Sequence, residues 1–279
     1  MPDSIVASKR DGNGGQVLAW IALLLVLTTV GAFPLIIGGL RLDQIPQSSP
    51  LLALTGYAPT LAALLIARFY SGSRGVRTLL AQLVTWRVGV SWYLVALIGP
   101  IALILLADVI YLVLVGKSPR QWLISPSEIA LTSVIGPLLA GSLGEELGWR
   151  GFAQPRLQSR CGALWAAVLI GIIWGTWHLW PVITPGGLAN LTAWNLVQTY
   201  VRLISTAIIY AWMYNSTKGS LFLVMVAHAG HNIAIELIHV PADGAHAVPV
   251  ITALLYLTAA IAVVLITGPR TLSREPASC

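Results

Sequence analysis

Long apolar stretches separated by short polar segments dominate the pattern of this chain. A hydrocarbon core about 30 Å thick requires about 20 apolar residues in a helix. Eight stretches reach that length, and each predicts one membrane-spanning helix. Their approximate bounds are 17–40, 51–69, 91–116, 127–149, 163–183, 192–214, 219–240 and 247–267. The pattern therefore predicts an all-α integral membrane protein, a bundle of about eight transmembrane helices.

Composition excludes the main soluble classes. Hydrophobic residues make up 57% and charged residues 9% of the 279 residues, whereas a soluble domain has about 25% charged residues. A disordered chain is excluded too, since disorder requires low hydrophobicity. The net charge of +6 does not indicate a nucleic-acid partner, because in so apolar a chain Lys and Arg act as topology signals. Since we find no internal repeat, we predict a single polytopic membrane domain over 1–279.

Basic residues are distributed unevenly between the two ends of the predicted bundle. Three lie on the side away from the termini, namely Arg41, Lys117 and Arg120. Twelve lie on the side of the termini, namely Lys9, Arg10, Arg68, Arg74, Arg77, Arg87, Arg150, Arg156, Arg160, Lys218, Arg270 and Arg274. Because cytoplasmic loops collect Lys and Arg, we predict that both termini are cytoplasmic. We expect the plasma (inner) membrane of a prokaryote.

Ionisable residues inside the predicted spans are candidates for function, because a charge in the hydrocarbon region is costly. Most of them lie in the fourth, fifth and seventh stretches. The full set of ionisable residues in or near the spans is Asp108, Glu145, Glu146, Arg150, His178, Arg202, His228, His231 and Glu236. This clustering indicates a polar site within the membrane.

The first cluster is Gly-Glu-Glu-Leu-Gly-Trp-Arg over 144–150. On a helix, Glu146 and Arg150 share a face, so that Arg150 can neutralise Glu146. Glu145 is turned about 100° away and has no partner at that spacing, which suits a general base. The alternative is a helix end at the membrane interface, anchored by a Glu–Arg pair.

Two further clusters carry histidines. Trp174 and His178 are four residues apart and face one way on a helix; a packing histidine is the alternative there. His228 and Asn232 are also four apart, and Asn232 can stabilise an oxyanion or fix an imidazole. His231 lacks a comparable partner, which favours a packing role. Together, the three clusters suit activation of water for peptide-bond hydrolysis, with histidines that either bind a divalent metal or polarise the carbonyl.

These motifs, Glu-Glu-x-x-x-Arg, an aromatic-x-x-x-His and His-x-x-x-Asn in separate spans, resemble the CAAX-protease and bacteriocin-processing (CPBP) family. That family of intramembrane metalloproteases includes the Rce1-type prenyl-protein endopeptidases. The resemblance covers about 128–240. It implies that the catalytic residues are Glu145, Glu146, Arg150, His178, His228 and Asn232. The chain departs from the family at Trp174, where Phe is usual.

The resemblance implies an intramembrane endopeptidase, a hydrolase that cleaves membrane-tethered peptide tails, lipidated proteins or propeptides. Prenylated Cys-a-a-X tails are the best-known substrates. A divalent metal, with Zn²⁺ as the natural choice, would be bound by Glu145, His178 and His228. The expected partners are the lipid bilayer and the tethered substrate. Two alternatives remain: an ion- or proton-coupled transporter, and a catalytically silent family member that acts in binding or immunity.

Two spatial expectations follow from the predicted spans. Straight helices would separate Glu145 and His178 by about 20 Å in depth. We therefore expect either a strongly tilted fifth helix or an early end of the fourth helix near Gly148, followed by irregular buried backbone. Arg202 is predicted to pair with Asp108, either as a structural contact or as part of a wall that contacts the substrate.

Overall fold

The computed structural model describes residues 2–41, 44–46, 48–117, 135–187, 191–238, 244 and 246–274. The regular elements of these ranges are helices. A π-rich segment comprises a π-helix at Pro137–Leu143, an α-helical turn at Gly144–Glu146 and a second π-helix at Leu147–Ala153. The long helices are α1 (Pro2–Ile37), α2 (Pro50–Ala81), α3 (Val90–Leu114), α4 (Gln154–Trp177), α5 (Ala193–Ser216), α6 (Leu221–Leu237) and α7 (Ala247–Thr267), with short 3₁₀ turns at Gln82–Val84 and Trp180–Ile183.

Five described helical segments are long and apolar enough to cross a membrane. They are Gly12–Ile37, Pro50–Val84, Val90–Leu114, Gly141–Ile183 and Ala247–Thr267, while Leu221–Leu237 is apolar but shorter. This finding confirms the predicted all-α membrane protein. The first part of the fourth predicted stretch, 127–134, lies outside the described residues, and the single domain over 1–279 stays a prediction.

The predicted end of the fourth stretch at 149 is wrong, whereas the predicted start of the fifth stretch at 163 agrees with the structure. The fourth helix does not end near Gly148. It continues to Cys161, and the chain reverses direction at Gly162. Gly162 has φ 79° and ψ 168°, a conformation that residues with a Cβ rarely adopt. Contacts between Glu145 and Trp174 across this reversal show that the two arms lie side by side.

The reversal removes the predicted difference in depth. Glu145 lies 17 residues before Gly162 and His178 lies 16 residues after it. At a rise of 1.5 Å per residue, both positions are about 25 Å from the turn. The two residues therefore reach the same level without a broken helix.

Close backbone contact between α2 and the π-rich segment secures the glutamates. A Cβ at Gly144 would lie 2.8 Å from the carbonyl oxygen of Gly56, and one at Gly148 would clash with the backbone of Pro59. Small residues four apart allow such an approach in membrane helices. Elsewhere α6 packs against α3 and the first π-helix, and α5 lies against α4 and α7. This packing surrounds the polar residues with helices.

Candidate active site

Glu146 and Arg150 form the buried ion pair that their spacing predicts. The Arg150 Nη1 donates to both oxygens of Glu146, at 2.8 and 3.1 Å, and both side chains are fully buried. The guanidinium also lies 4.6 Å from the ring centroid of Trp174 and 5.0 Å from that of Tyr210. Aromatic faces attract a cation most strongly where water is excluded. Arg150 is thus held by the carboxylate and by two rings.

Glu146 has a second partner, which spacing along the sequence does not reveal. The Nδ1 of His228 lies 2.7 Å from Glu146 Oε1. A carboxylate accepts hydrogen bonds, so that Nδ1 is the donor and, in the neutral imidazole, Nε2 keeps its lone pair. Glu146 therefore fixes the tautomer of His228, as carboxylates do for histidines at catalytic and metal sites.

Glu145 faces a different set of groups from its neighbour. Its Oε2 accepts the indole N–H of Trp149 at 3.2 Å and that of Trp174 at 2.6 Å. Glu145 retains 6% exposure, whereas Glu146 has none. Of the two carboxylates, Glu145 alone retains exposed surface, and its role as the base stays a prediction.

Trp174 contacts Glu145, His178 and His228. The sequence did not predict this central position. Its ring centroid lies 5.6 Å from that of His178 and 5.5 Å from that of His228, and its N–H binds Glu145. The N–H group is what distinguishes this Trp from the Phe that the family usually has. The departure therefore adds a hydrogen bond to the predicted base.

His178 follows the last residue of α4 and is exposed. Its Nδ1 lies 2.9 Å from the carbonyl oxygen of Trp174. The carbonyl can only accept, so Nδ1 donates and Nε2 keeps its lone pair. Glu145 lies near enough for its charge to act on His178. Trp177 anchors this helix end to α1 through an N–H bond of 2.9 Å to Thr28.

Helix α6 brings the third motif to the site. It begins where Ser220 Oγ accepts the backbone N–H of Leu223 at 3.3 Å, which is a side-chain N-cap. Asn232 lies against the backbone of Gly141, because a Cβ there would meet Asn232 Nδ2 at 2.6 Å and His228 Nε2 at 4.0 Å. The absence of a side chain at Gly141 thus makes room for both polar groups. The π-rich segment contributes this glycine as well as the glutamates, and π-turns are frequent at functional sites.

The structure does not assemble the predicted zinc site from Glu145, His178 and His228. Within the described residues, no three His, Cys, Asp or Glu side chains are close enough together to hold a metal ion. His228 is directed at Glu146, and each imidazole packs against the Trp174 indole. The described residues, as placed, do not fit a resident metal ion, and the zinc site stays a prediction.

The remaining ionisable residues differ in part from expectation. Arg202 Nη1 lies 3.1 Å from Nε2 of His231, and no contact with Asp108, its predicted partner, is found among the described residues. His231 also bonds to Tyr256 through Nδ1 at 2.6 Å. Its predicted packing role agrees with this placement, since both ring nitrogens have partners. Glu236 is exposed.

Comparison with known proteins agrees with the motifs. Residues 126–234 match the model of the type II CAAX prenyl endopeptidase Rce1-like family. CAAX prenyl protease 2 of Methanococcus maripaludis is 32% identical over 111 residues, which cover 38% of this chain and 41% of that protein. The match thus spans about two fifths of the length of this curated relative. All six predicted catalytic residues fall within 126–234, the segment that is similar to the Rce1-like family.

Proposed function

We propose that this protein is an intramembrane endopeptidase in which Glu145 activates water. The proposal rests on one observation, the different surroundings of the two adjacent carboxylates. Glu146 is closed off by Arg150 and His228, whereas Glu145 is held on one oxygen only and is partly open. A base must be reachable by its proton donor, and Glu145 alone of the two meets that condition.

The proposed reaction uses the chain's own side chains. Glu145 takes a proton from water, whose oxygen forms a bond to the peptide carbonyl carbon. The Nε2 lone pair of His178 accepts the second water proton in a hydrogen bond and so orients the attack. Asn232 donates through Nδ2 to the oxyanion. The C–N bond then breaks, and the proton held by Glu145 passes to the leaving nitrogen. No step depends on a metal ion.

The proposed substrates are membrane-tethered peptides whose chain enters the helix bundle. The name of the Methanococcus relative, a CAAX prenyl protease, supports prenylated Cys-a-a-X tails as the first class to test. Unlipidated propeptides are the second class. A site within the bundle suits a substrate that is already anchored in the bilayer.

A cleavage assay with purified full-length protein in detergent tests this function. We expect cleavage of a prenylated peptide and weaker or no cleavage of the same peptide without its lipid. If folded protein cleaved neither lipidated nor unlipidated peptides, the proposed peptidase activity would be wrong. Proton or ion flux in proteoliposomes would then favour the transporter alternative, and peptide binding without cleavage would favour a catalytically silent member.

The metal requirement is a separate prediction. Because the described side chains form no three-ligand site, we expect dialysis against a chelator to leave activity within about twofold of the untreated protein. Metal content measured by mass spectrometry on the same samples is the control. Loss of activity on chelation, with recovery on addition of Zn²⁺, would contradict this expectation and restore the predicted metalloprotease.

The protein is an integral membrane protein, and we propose that its basic end is cytoplasmic. The turn at Gly162 lies beside Arg270 near the C-terminus, and Gly14 lies beside Arg160. Arg160 of the turn and Arg270 near the C-terminus thus lie at the same end as the part of α1 around Gly14. This arrangement supports the orientation that the charge bias predicts.

Cys161 is exposed at this turn and reports the orientation. In Cys279→Ser protein it is the sole cysteine, since the sequence has two. We expect a membrane-impermeant maleimide to label it in inside-out vesicles but not in right-side-out vesicles. Leu40→Cys in a background without the two native cysteines is the control for the other end. The reverse pattern would invert the topology.

A further inference from the structure

A chain of hydrogen bonds links three helices beside the site. Arg202 of α5 can only donate, so Nε2 of His231 on α6 accepts its N–H at 3.1 Å. In the neutral ring the proton is then on Nδ1, which donates to the hydroxyl oxygen of Tyr256 on α7 at 2.6 Å. The hydroxyl hydrogen of Tyr256 is consequently left to donate elsewhere. Because Arg202 can only donate, it fixes which group donates and which accepts in each of these hydrogen bonds.

This cluster contains more donors than acceptors. Among the described residues, no carboxylate is found within ion-pair distance of Arg202, and its Nη1 bonds to His231. Tyr210 is 2% exposed, and its hydroxyl group has no partner in the described part of the chain. Tyr210 and Tyr256 both lie near enough for electrostatic interaction with Arg202. A half-buried cation beside a buried hydroxyl group without a described partner suits an anionic ligand, because buried donors are rarely left unpaired.

The cluster lies next to the proposed catalytic residues. The Tyr210 ring is 5.9 Å from that of His228. Thr176 and Tyr200 are joined through their hydroxyl groups at 2.9 Å, which sets Arg202 at the level of the end of α4, where His178 lies. His228 and His231 are about 4.5 Å apart along α6, and an extended peptide rises about 3.3 Å per residue. The cluster is therefore within a few peptide residues of the reacting carbonyl.

We propose that Arg202, with the hydroxyl groups of Tyr210 and Tyr256, binds the free C-terminal carboxylate of the substrate. This inference rests on the proposed function and extends it to specificity. A guanidinium binds a carboxylate through charge-assisted hydrogen bonds, and the hydroxyl groups supply the remaining donors. The anchor sets the number of residues between the scissile bond and the C-terminus.

Binding to the Glu145→Gln variant tests the anchor without turnover. The probes are two peptides that end in prenylcysteine and three apolar residues, one with a free carboxylate and one amidated. We expect amidation to weaken binding about 10- to 100-fold, the usual range for a hydrogen bond to a charged group. Adding Arg202→Gln should weaken binding of the carboxylate form equally and abolish the preference. Gln keeps an N–H donor for His231, and Arg202→Lys, which keeps the charge, should retain part of the preference.

Arg68→Gln is the matched control, since Arg68 is exposed on α2 and should leave the preference unchanged. Equal binding of both peptides by Glu145→Gln protein would overturn the anchor even if Arg202→Gln failed to fold. Persistence of the preference in folded Arg202→Gln protein would overturn the assignment to Arg202. If wild-type protein cleaves both peptides and shows no preference for the free carboxylate, only the anchor is refuted. If the free carboxylate is preferred in binding but no peptide is cleaved, only the peptidase is refuted. Binding of neither peptide refutes both.

Discussion

Glu145→Gln protein is expected to lose peptide hydrolysis while it remains folded. Glutamine has nearly the same shape, and its carbonyl oxygen can still accept the indole N–H groups of Trp149 and Trp174, but it cannot take a proton from water. General-base catalysis contributes about 10²- to 10⁴-fold, so kcat should fall by at least about 10²-fold. Single-turnover cleavage of a lipidated peptide measures the loss, and thermal unfolding in detergent checks the fold.

Glu236→Gln is the matched control, because Glu236 is an exposed carboxylate on α6 outside the contacts described for the site. It should retain wild-type turnover. Glu145→Gln protein that kept more than a tenth of wild-type activity would show that another group is the base. An inactive Glu146→Gln variant beside an active Glu145→Gln variant would exchange the two roles.

Arg150→Met protein is expected to be strongly destabilised. The substitution leaves the charge of Glu146 fully buried with only His228 beside it, and removal of one partner from a buried ion pair costs about 3–5 kcal/mol. It also removes the cation that lies beside the rings of Trp174 and Tyr210. The free energy of unfolding, measured with denaturant in detergent, should fall accordingly.

Glu146→Gln distinguishes the ion pair from a simple loss of packing. We expect it to destabilise the protein and to retain some turnover, lowered about 10- to 100-fold because His228 loses the carboxylate that orients it. The double variant Glu146→Gln/Arg150→Met should be more stable than Arg150→Met alone, since no buried charge is left unpaired. Arg68→Gln serves as the surface control. A loss below about 1 kcal/mol in Arg150→Met protein would contradict the buried pair.

Local spacing was sufficient to predict the pairing within the first motif. Glu146 and Arg150 are four residues apart, and any helix places them on one face. The same rule found no charged partner for Glu145, but the expectation that it has no partner at that spacing was wrong, since Trp149, four residues on, donates its indole N–H to it. The sequence also predicted an all-α membrane protein, since twenty-residue apolar stretches leave few other solutions in lipid. These conclusions depend on contacts within one helix or on composition.

The tertiary structure decided the contacts that join different helices. The link from His228 to Glu146 spans 82 residues, and no period along the chain encodes it. The reversal at Gly162, rather than an early helix end near Gly148, brings His178 to the level of Glu145. One glycine among 26 makes this reversal, and its φ of 79° is a property of the folded chain that the sequence does not reveal.

The partner of Arg202 illustrates the same limit. The sequence supplied Asp108 as an acid in another span, and charge alone favoured that pair. Packing of α5 against α6 and α7 instead places Arg202 beside His231 and leaves it without a described carboxylate. The sequence by itself determined which residues carry charge into the membrane and which of them share a helix face, because those are properties of one helix. Which charges meet was decided by the tertiary structure, because helix packing sets the distances between side chains that lie far apart in the chain.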